Sequence, residues 1–239
     1  MKKKITLSII IILILSLVGG MVYYINDYYR AEEIAVSLIT TPNNGVTVTE
    51  ADGVFTFKPQ NATKAIIFYP GGKVEAESYA PLMHALAKKG VLTVLVTMPG
   101  NLAVLDMNAA EGIQEQHPEI KEWYMSGHSL GGSMAASYIA ENNNEFDGII
   151  LLASYSTADL NGLNLDVLSI YGSNDGVLNM EKYKEYKSNL PSDFEEFIID
   201  GGCHAYFGAY GEQDGDGKAT ITRDEQINIT VDEIINFIK

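Results

Sequence analysis

The chain has 239 residues, 46% of them apolar and 20% charged, the composition of one globular domain with a core of moderate size. A formal net charge of −15 argues against nucleic acid as a partner of the folded part, and a lone cysteine, Cys203, excludes an internal disulfide. Glycine and proline stay at ordinary levels and no repeat period is present, which sets aside fibrous and solenoid architectures.

The N-terminus stands apart. Lys2, Lys3 and Lys4 precede ITLSIIIILILSLVGGMVYY, residues 5–24, which carries no charge. A helix of that length spans about 30 Å, the thickness of a bilayer's hydrocarbon core. Tyr23, Tyr24, Tyr28 and Tyr29 then fall where an interfacial aromatic belt would lie. The run exceeds the core of an ordinary signal peptide, shows no clear small-x-small cleavage site, and is followed by no cysteine for lipid attachment. Residues 1–29 therefore read as a cytoplasmic tip and membrane anchor, with a cleaved signal sequence as the alternative. Without the three lysines the remainder has 13 basic against 31 acidic residues. Basic tip and acidic bulk together predict a domain outside the cytoplasm, repelled from anionic lipid. Residues 30–44 read as a tether, with a short helix in NDYYRAEEIAVSLIT and a turn at TPNNG.

From residue 45 the pattern is that of one domain. GVTVTEADGVFTFKP alternates apolar and polar about Asp52-Gly53, a hairpin. KAIIFYPGG is a buried strand ending in a glycine loop, and EAESYAPLMHALAKKG has helical spacing with Gly90 as its stop. VLTVLVTMPG is a second buried strand, and LAVLDMNAAEGIQEQHP is predicted as a helix closed by Pro118. EWYMSGHS is a third strand, leading into a helix over 129–142. EFDGIILLAS, DVLSIYGSND and DFEEFIIDGG are three more strands. The last helix opens at Thr222 with Glu225 three residues on, a capping box. Continuous apolar strands alternating with helices imply a mostly parallel sheet covered on both faces. Ligands in such sheets bind beyond the carboxyl ends of the strands.

One such end reads Gly127-His128-Ser129-Leu130-Gly131, a Gly-x-Ser-x-Gly between strand and helix. Small residues permit a turn too sharp for side chains, which holds Ser129 out as a nucleophile rather than a mere helix cap. The helix N-terminus favours negative charge nearby. A serine needs a base. Of the four histidines, His84 sits inside a helix, His117 ends one, and His128 is in the elbow pointing away from Ser129. His204, in IIDGGCHAYFGAYG, follows the last strand and can reach over Ser129. Asp175, after the fifth long strand, supplies the group that orients the base; Asp159 and Asp166 precede that strand and are weaker candidates. A developing oxyanion needs two N–H donors. The Leu130 amide is one. Gly72 in FYPGGK is the favoured second, with Lys73 behind it; the Lys73 side chain could also hold an anionic substrate group.

The order Ser129, Asp175, His204 resembles the α/β-hydrolase superfamily over residues 45–239, nearest to dienelactone-hydrolase-like and small bacterial esterase-like members. GHSLGG, YPGGKVEAESYAPL, YGSNDGV and GGCHAYFGAYGEQDGDG stand where that superfamily places its elbow, oxyanion loop, acid and base. The resemblance implies an α/β-hydrolase fold with an N-terminal hairpin, no cofactor and no metal. It implies acyl transfer on a small ester or related acyl substrate. Dienelactone hydrolases carry a cysteine nucleophile where this chain has Ser129, which turns the expectation away from dienelactone itself. YSTADLNGLNL, between the fourth and fifth long strands, is too short for more than a small lid. Asp214, Asp216 and Glu225 hint at a calcium loop, but Lys218 and Ala219 occupy positions that want an oxygen ligand and a glycine. Cys203 lacks an elbow. The rival functions are a non-catalytic envelope binding module of the same fold, and an acyltransferase or peptidase using the same three residues. The oligomeric state is not legible.

Overall fold

A computed structural model describes residues 2–41 and 45–239; the side chains of residues 2–8 and 25, and residues 42–44 of the turn expected at TPNNG, lie outside that description. Asp52 and Gly53 both take positive φ, 51° and 77°, the geometry of a two-residue turn whose twist suits the flanking strands. They join β1 (Val46–Ala51) to β2 (Val54–Pro59) in an antiparallel hairpin. With β3 (Lys64–Tyr69), β4 (Leu92–Val96), β5 (Glu122–His128), β6 (Gly148–Leu152), β7 (Asp166–Gly172) and β8 (Glu195–Ile199) these form one sheet, in the order β1-β2-β4-β3-β5-β6-β7-β8. β2 runs antiparallel to β4, and every pair from β4 to β8 is parallel.

Successive strand residues point to opposite faces, so an unbroken apolar strand feeds two cores. Ile66, Phe68, Ile150 and Leu152 belong to one, shared with α3 (Ala80–Lys88) and α6 (Arg223–Phe237). Ile67, Tyr69, Ile149 and Leu151 belong to the other, covered by α4 (Leu130–Glu141). Thr222 and Glu225 form the expected capping box on α6. A short helix that the sequence reading passed over, α5 (Met180–Tyr186), is capped by the Asn179 side chain, which accepts from the amides of Glu181 and Lys182.

Two expectations need correction. Residues 102–118 do not form a helix; they run as loop with 3-10 turns at Ala103–Leu105 and Gln114–Gln116. The Tyr69 hydroxyl donates to the Met107 carbonyl and accepts from the Ala110 amide, engaging groups a helix would pair internally, and Gly112 sits at φ 78°. Nor is the segment after residue 29 a free tether. Glu32 donates its amide to the Ala209 carbonyl and pairs with Arg223 at 2.5 Å, and α2 (Glu33–Thr40) buries Ala35 and lies against α3. Ahead of it, α1 (Lys2–Asn26) contains the uncharged run, and its described side chains from 9 to 24 are all exposed. Among the described residues no helix is long and apolar enough to cross a membrane; residues 9–24 alone extend about 24 Å.

The register brings the ends of the parallel strands to one edge: Tyr69 lies opposite Gly127, His128 opposite Leu152, and Gly172 opposite Ile199. Gly72, Ser129, Asp175 and His204 all follow strands that end there. No regular element lies between β6 and β7, so that edge carries no inserted lid in this stretch.

Candidate active site

Ser129 adopts φ 53° and ψ −122°, a conformation that strains any side-chain-bearing residue. Its neighbours explain how the chain tolerates it. A Cβ on Gly127 would lie 2.6 Å from the backbone of Gly131 and Gly132, and one on Gly131 would collide with the carbonyls of Pro70 and Tyr69. The Ser154 hydroxyl donates to the Ser129 carbonyl at 2.7 Å and pins the turn from the β6 side. Ser129 is half-buried at the N-cap of α4.

His204 and Asp175 meet. The imidazole Nδ1 lies 2.8 Å from Asp175 Oδ2, and both side chains are 1% exposed. The other carboxylate oxygen accepts the amides of Val177 and Leu178, at 2.8 and 2.7 Å, which fixes its plane. A carboxylate partner requires the proton on Nδ1, leaving Nε2 of the neutral ring as an acceptor. Nε2 of His204 is buried and has no hydrogen-bond partner among the described residues, and no hydrogen bond joins it to the Ser129 hydroxyl. Such contacts are often loose before substrate arrives.

The Leu130 side chain packs onto Gly72: a Cβ on Gly72 would sit 2.9 Å from Leu130 Cδ2. Neither amide takes part in a described hydrogen bond. Lys73, the second choice as donor, is otherwise engaged. Its amide donates to the Asn101 carbonyl at 2.7 Å, and its ammonium pairs with Asp27 at 2.6 Å beneath the Tyr24 ring, so it is neither a free donor nor a free anion anchor. Its neighbour Gly71 donates to the Tyr79 hydroxyl at 3.0 Å, and that hydroxyl lies 2.8 Å from His128 Nδ1. A hydroxyl already accepting from Gly71 gives its own proton to His128. The elbow histidine is thus neutral with its proton on Nε2. Burial first, and the adjacent His204 second, hold its pKa well below the usual value. The two imidazole rings are 4.4 Å apart. His128 therefore faces inward as expected, but it does more than fill the elbow: it links the elbow to the glycine loop and packs against His204.

The remaining chemistry-bearing residues stay out. His84 is buried within α3, where burial lowers its pKa, and His117 packs near Trp123 with its pKa also lowered by burial. Burial pushes the Cys203 thiol up to about 12, far from a thiolate at neutral pH. Three residues escaped the sequence reading. Gln226, from α6, clamps Cys203 with both amide atoms: Oε1 accepts from its N–H and Nε2 donates to its carbonyl. Asp216 accepts from the amides of His204 and Ala205. Tyr29 pairs with the glycine loop as an added strand, donating to the Lys73 carbonyl at 2.7 Å and accepting from the Glu75 amide at 2.9 Å, while its hydroxyl accepts from the Asp214 amide. Capping boxes and elbows have local signatures; the contacts of these three named here reach across 11 to 185 residues of sequence and carry none.

Beside Ser129 opens a pocket of about 280 Å³, walled by Leu130, Ala153, Tyr155, Val177 and Leu178 with Ser133, Ser154, Thr157 and Asn179 at its polar points. No charged side chain lines it. Structural comparison finds the same fold in a predicted CIB-like hydrolase from Thermoplasma acidophilum (TM-score 0.57, 20% identity, 80% of this chain and 100% of that one). It finds it also in dienelactone hydrolase from Anabaena variabilis (0.59, 12%, 81% and 99%) and in Est1E from Butyrivibrio proteoclasticus (0.58, 14%, 82% and 99%). A comparison with curated protein sequences finds no match. The model of the alpha/beta hydrolase family, however, matches residues 65–228, well over half of the chain and every strand from β4 to β8, and on that footing the chain belongs to the α/β-hydrolase family.

Proposed function

We propose that this protein is a serine hydrolase that cleaves small, uncharged carboxylic esters or a related acyl bond through an acyl-enzyme. The observation that carries the reading is the buried His204–Asp175 pair, which leaves the Nε2 of a carboxylate-bound imidazole unpartnered among the described residues, at the same sheet edge as the strained Ser129. His204 Nε2 takes the Ser129 proton as Oγ attacks the carbonyl carbon, and Asp175 stabilises the imidazolium. The carbonyl oxygen gains charge facing the amides of Leu130 and Gly72. The tetrahedral species collapses, the leaving alcohol takes the proton from His204, and water repeats the sequence to release the acid. An uncharged pocket in a chain of net charge −15 disfavours anionic substrates.

The test is fluorophosphonate labelling of the full chain with mass mapping, beside Ser129→Ala and His204→Ala. An adduct on Ser129 lost in both variants supports the reading. A folded protein that takes no label and turns over no activated ester sinks it in favour of a binding module. A competing alcohol in the product assay distinguishes hydrolase from transferase.

We also propose that residues 1–29 hold the domain at a membrane, outside the cytoplasm. The support is Lys2 to Lys4 before an uncharged run, and a helix whose described side chains are mostly apolar and all exposed. Alkaline extraction of membranes, with protease added to intact cells, checks it: release of full-length chain, or protection from protease, refutes it.

A further inference from the structure

We propose that Asp216 is a positioning residue that sets the spacing between Asp175 and His204. The proposal rests on the serine-hydrolase reading above. One oxygen of Asp216 accepts the amides of Gly176, His204 and Gly217 at 3.1, 3.1 and 2.8 Å, and the other accepts that of Ala205 at 2.9 Å. Gly176 is the residue after the acid; His204 is the base. A single carboxylate therefore ties together the two loops that carry the pair, at a second point behind their own 2.8 Å contact.

The surrounding backbone is shaped for this bracket. A Cβ on Gly176 would lie 2.6 Å from the Gly215 carbonyl, and one on Gly217 would run into the Asn174 carbonyl, so residues 215–217 lie flush on the acid loop. Asn174 adds its own side-chain bond to the Lys218 carbonyl at 3.0 Å. This is what DGDGK does in place of a cation loop: the Asp216 oxygens face N–H donors. Burial works against the charge, and the four amides outweigh it, keeping the pKa below the usual carboxylate value. Four donors demand an acceptor-only group. An asparagine would set its own N–H₂ against one of them.

Without the bracket the two loops keep the Asn174 bonds to Gly202 and Lys218 but lose the grip on the His204 amide itself, and the base samples positions away from Ser129. The experiment uses the full-length chain and p-nitrophenyl acetate as probe. Asp216→Asn and Asp216→Glu are compared with the unsubstituted protein, well below each thermal midpoint, with rates expressed per fluorophosphonate-titrated site. The expected result is labelling of Ser129 to completion but slowly, a kcat per site down about 10- to 100-fold, and an unchanged KM. The downfield proton resonance of His204 Nδ1–H should shift or broaden. A fold-only role would lower the titre and leave kcat per titrated site intact. Should the Asn variant fail to fold, the Glu variant, which keeps the charge and lengthens the arm, is expected to fold and still lose kcat. A folded variant of either kind with kcat per site within about twofold of the parent overturns the proposal. No adduct and no turnover in the unsubstituted chain overturns the reading on which it rests, and the proposal with it.

Discussion

The elbow and the histidine loop end at the same edge of the sheet yet are built in opposite ways. The elbow is six consecutive residues, Gly127 to Gly132, whose shape is imposed by direct backbone-on-backbone contact and by a strained φ at Ser129. The histidine loop runs from Asp200 to Thr222 with only a 3-10 turn at Ala205–Phe207. It is held from within by Asp216, and from outside by Gln226, the Ser78 carbonyl on the Ala209 amide, and the Tyr29 hydroxyl. One region stores strain to aim a side chain; the other collects hydrogen bonds to keep one in place.

The difference can be broken first at the elbow. Ser129→Gly is expected to lower kcat by about 10⁶-fold, as loss of a triad nucleophile does. The same change should raise stability by about 1 kcal/mol, because glycine accepts φ 53° without strain. Ester turnover and calorimetry on one preparation check both signs. The histidine loop should show no such trade: Asp175→Asn is expected to lower kcat about 10⁴-fold. It should also lose stability, since Asp175 also binds the amides of Val177 and Leu178. A stability gain there would erase the contrast.

Tyr79→Phe probes the join between the two. It removes the acceptor for the Gly71 amide and the donor to His128, both buried, and should cost about 1–3 kcal/mol in denaturant unfolding. Activity should fall as well through a loosened glycine loop. The smallest effect concerns pH. The His128 pKa is depressed in the fold, so the unfolded chain binds the proton first as pH drops below about 6.5. Stability should be level above that value and decline beneath it, and His128→Gln should flatten part of the slope in pH-dependent melts. His84 and His117, shifted the same way, account for part of the remainder.

The same contrast governs what could be read from the sequence. The hairpin, the six long strands, the elbow and the capping box each rest on neighbours in sequence, and each stands where the pattern put it. Asp175 and His204 were legible by position, each just past a strand, and the structure brings them together. The 102–118 helix went astray because Tyr69, more than 30 residues away, binds Met107 and Ala110. The engagement of Lys73, the second choice behind Gly72, is not legible in sequence, because its amide and ammonium answer to Asn101 and Asp27, which no local motif announces. Asp216 is legible in sequence only as a poor calcium-loop position, since the four amides that give it meaning come from three turns.

The pairing of Tyr29 with Lys73 and Glu75 has a mechanical corollary. The residue three positions past the end of α1 is a strand-like partner of the loop that carries Gly72. Tension on the N-terminal helix therefore reaches the Gly72 loop through two backbone hydrogen bonds, with no slack segment between to absorb it. Proteolytic trimming is likewise sharply position-dependent. A cut before Asp27 leaves this partner strand seated, whereas a cut between Tyr29 and Arg30 releases it from Lys73 and Glu75.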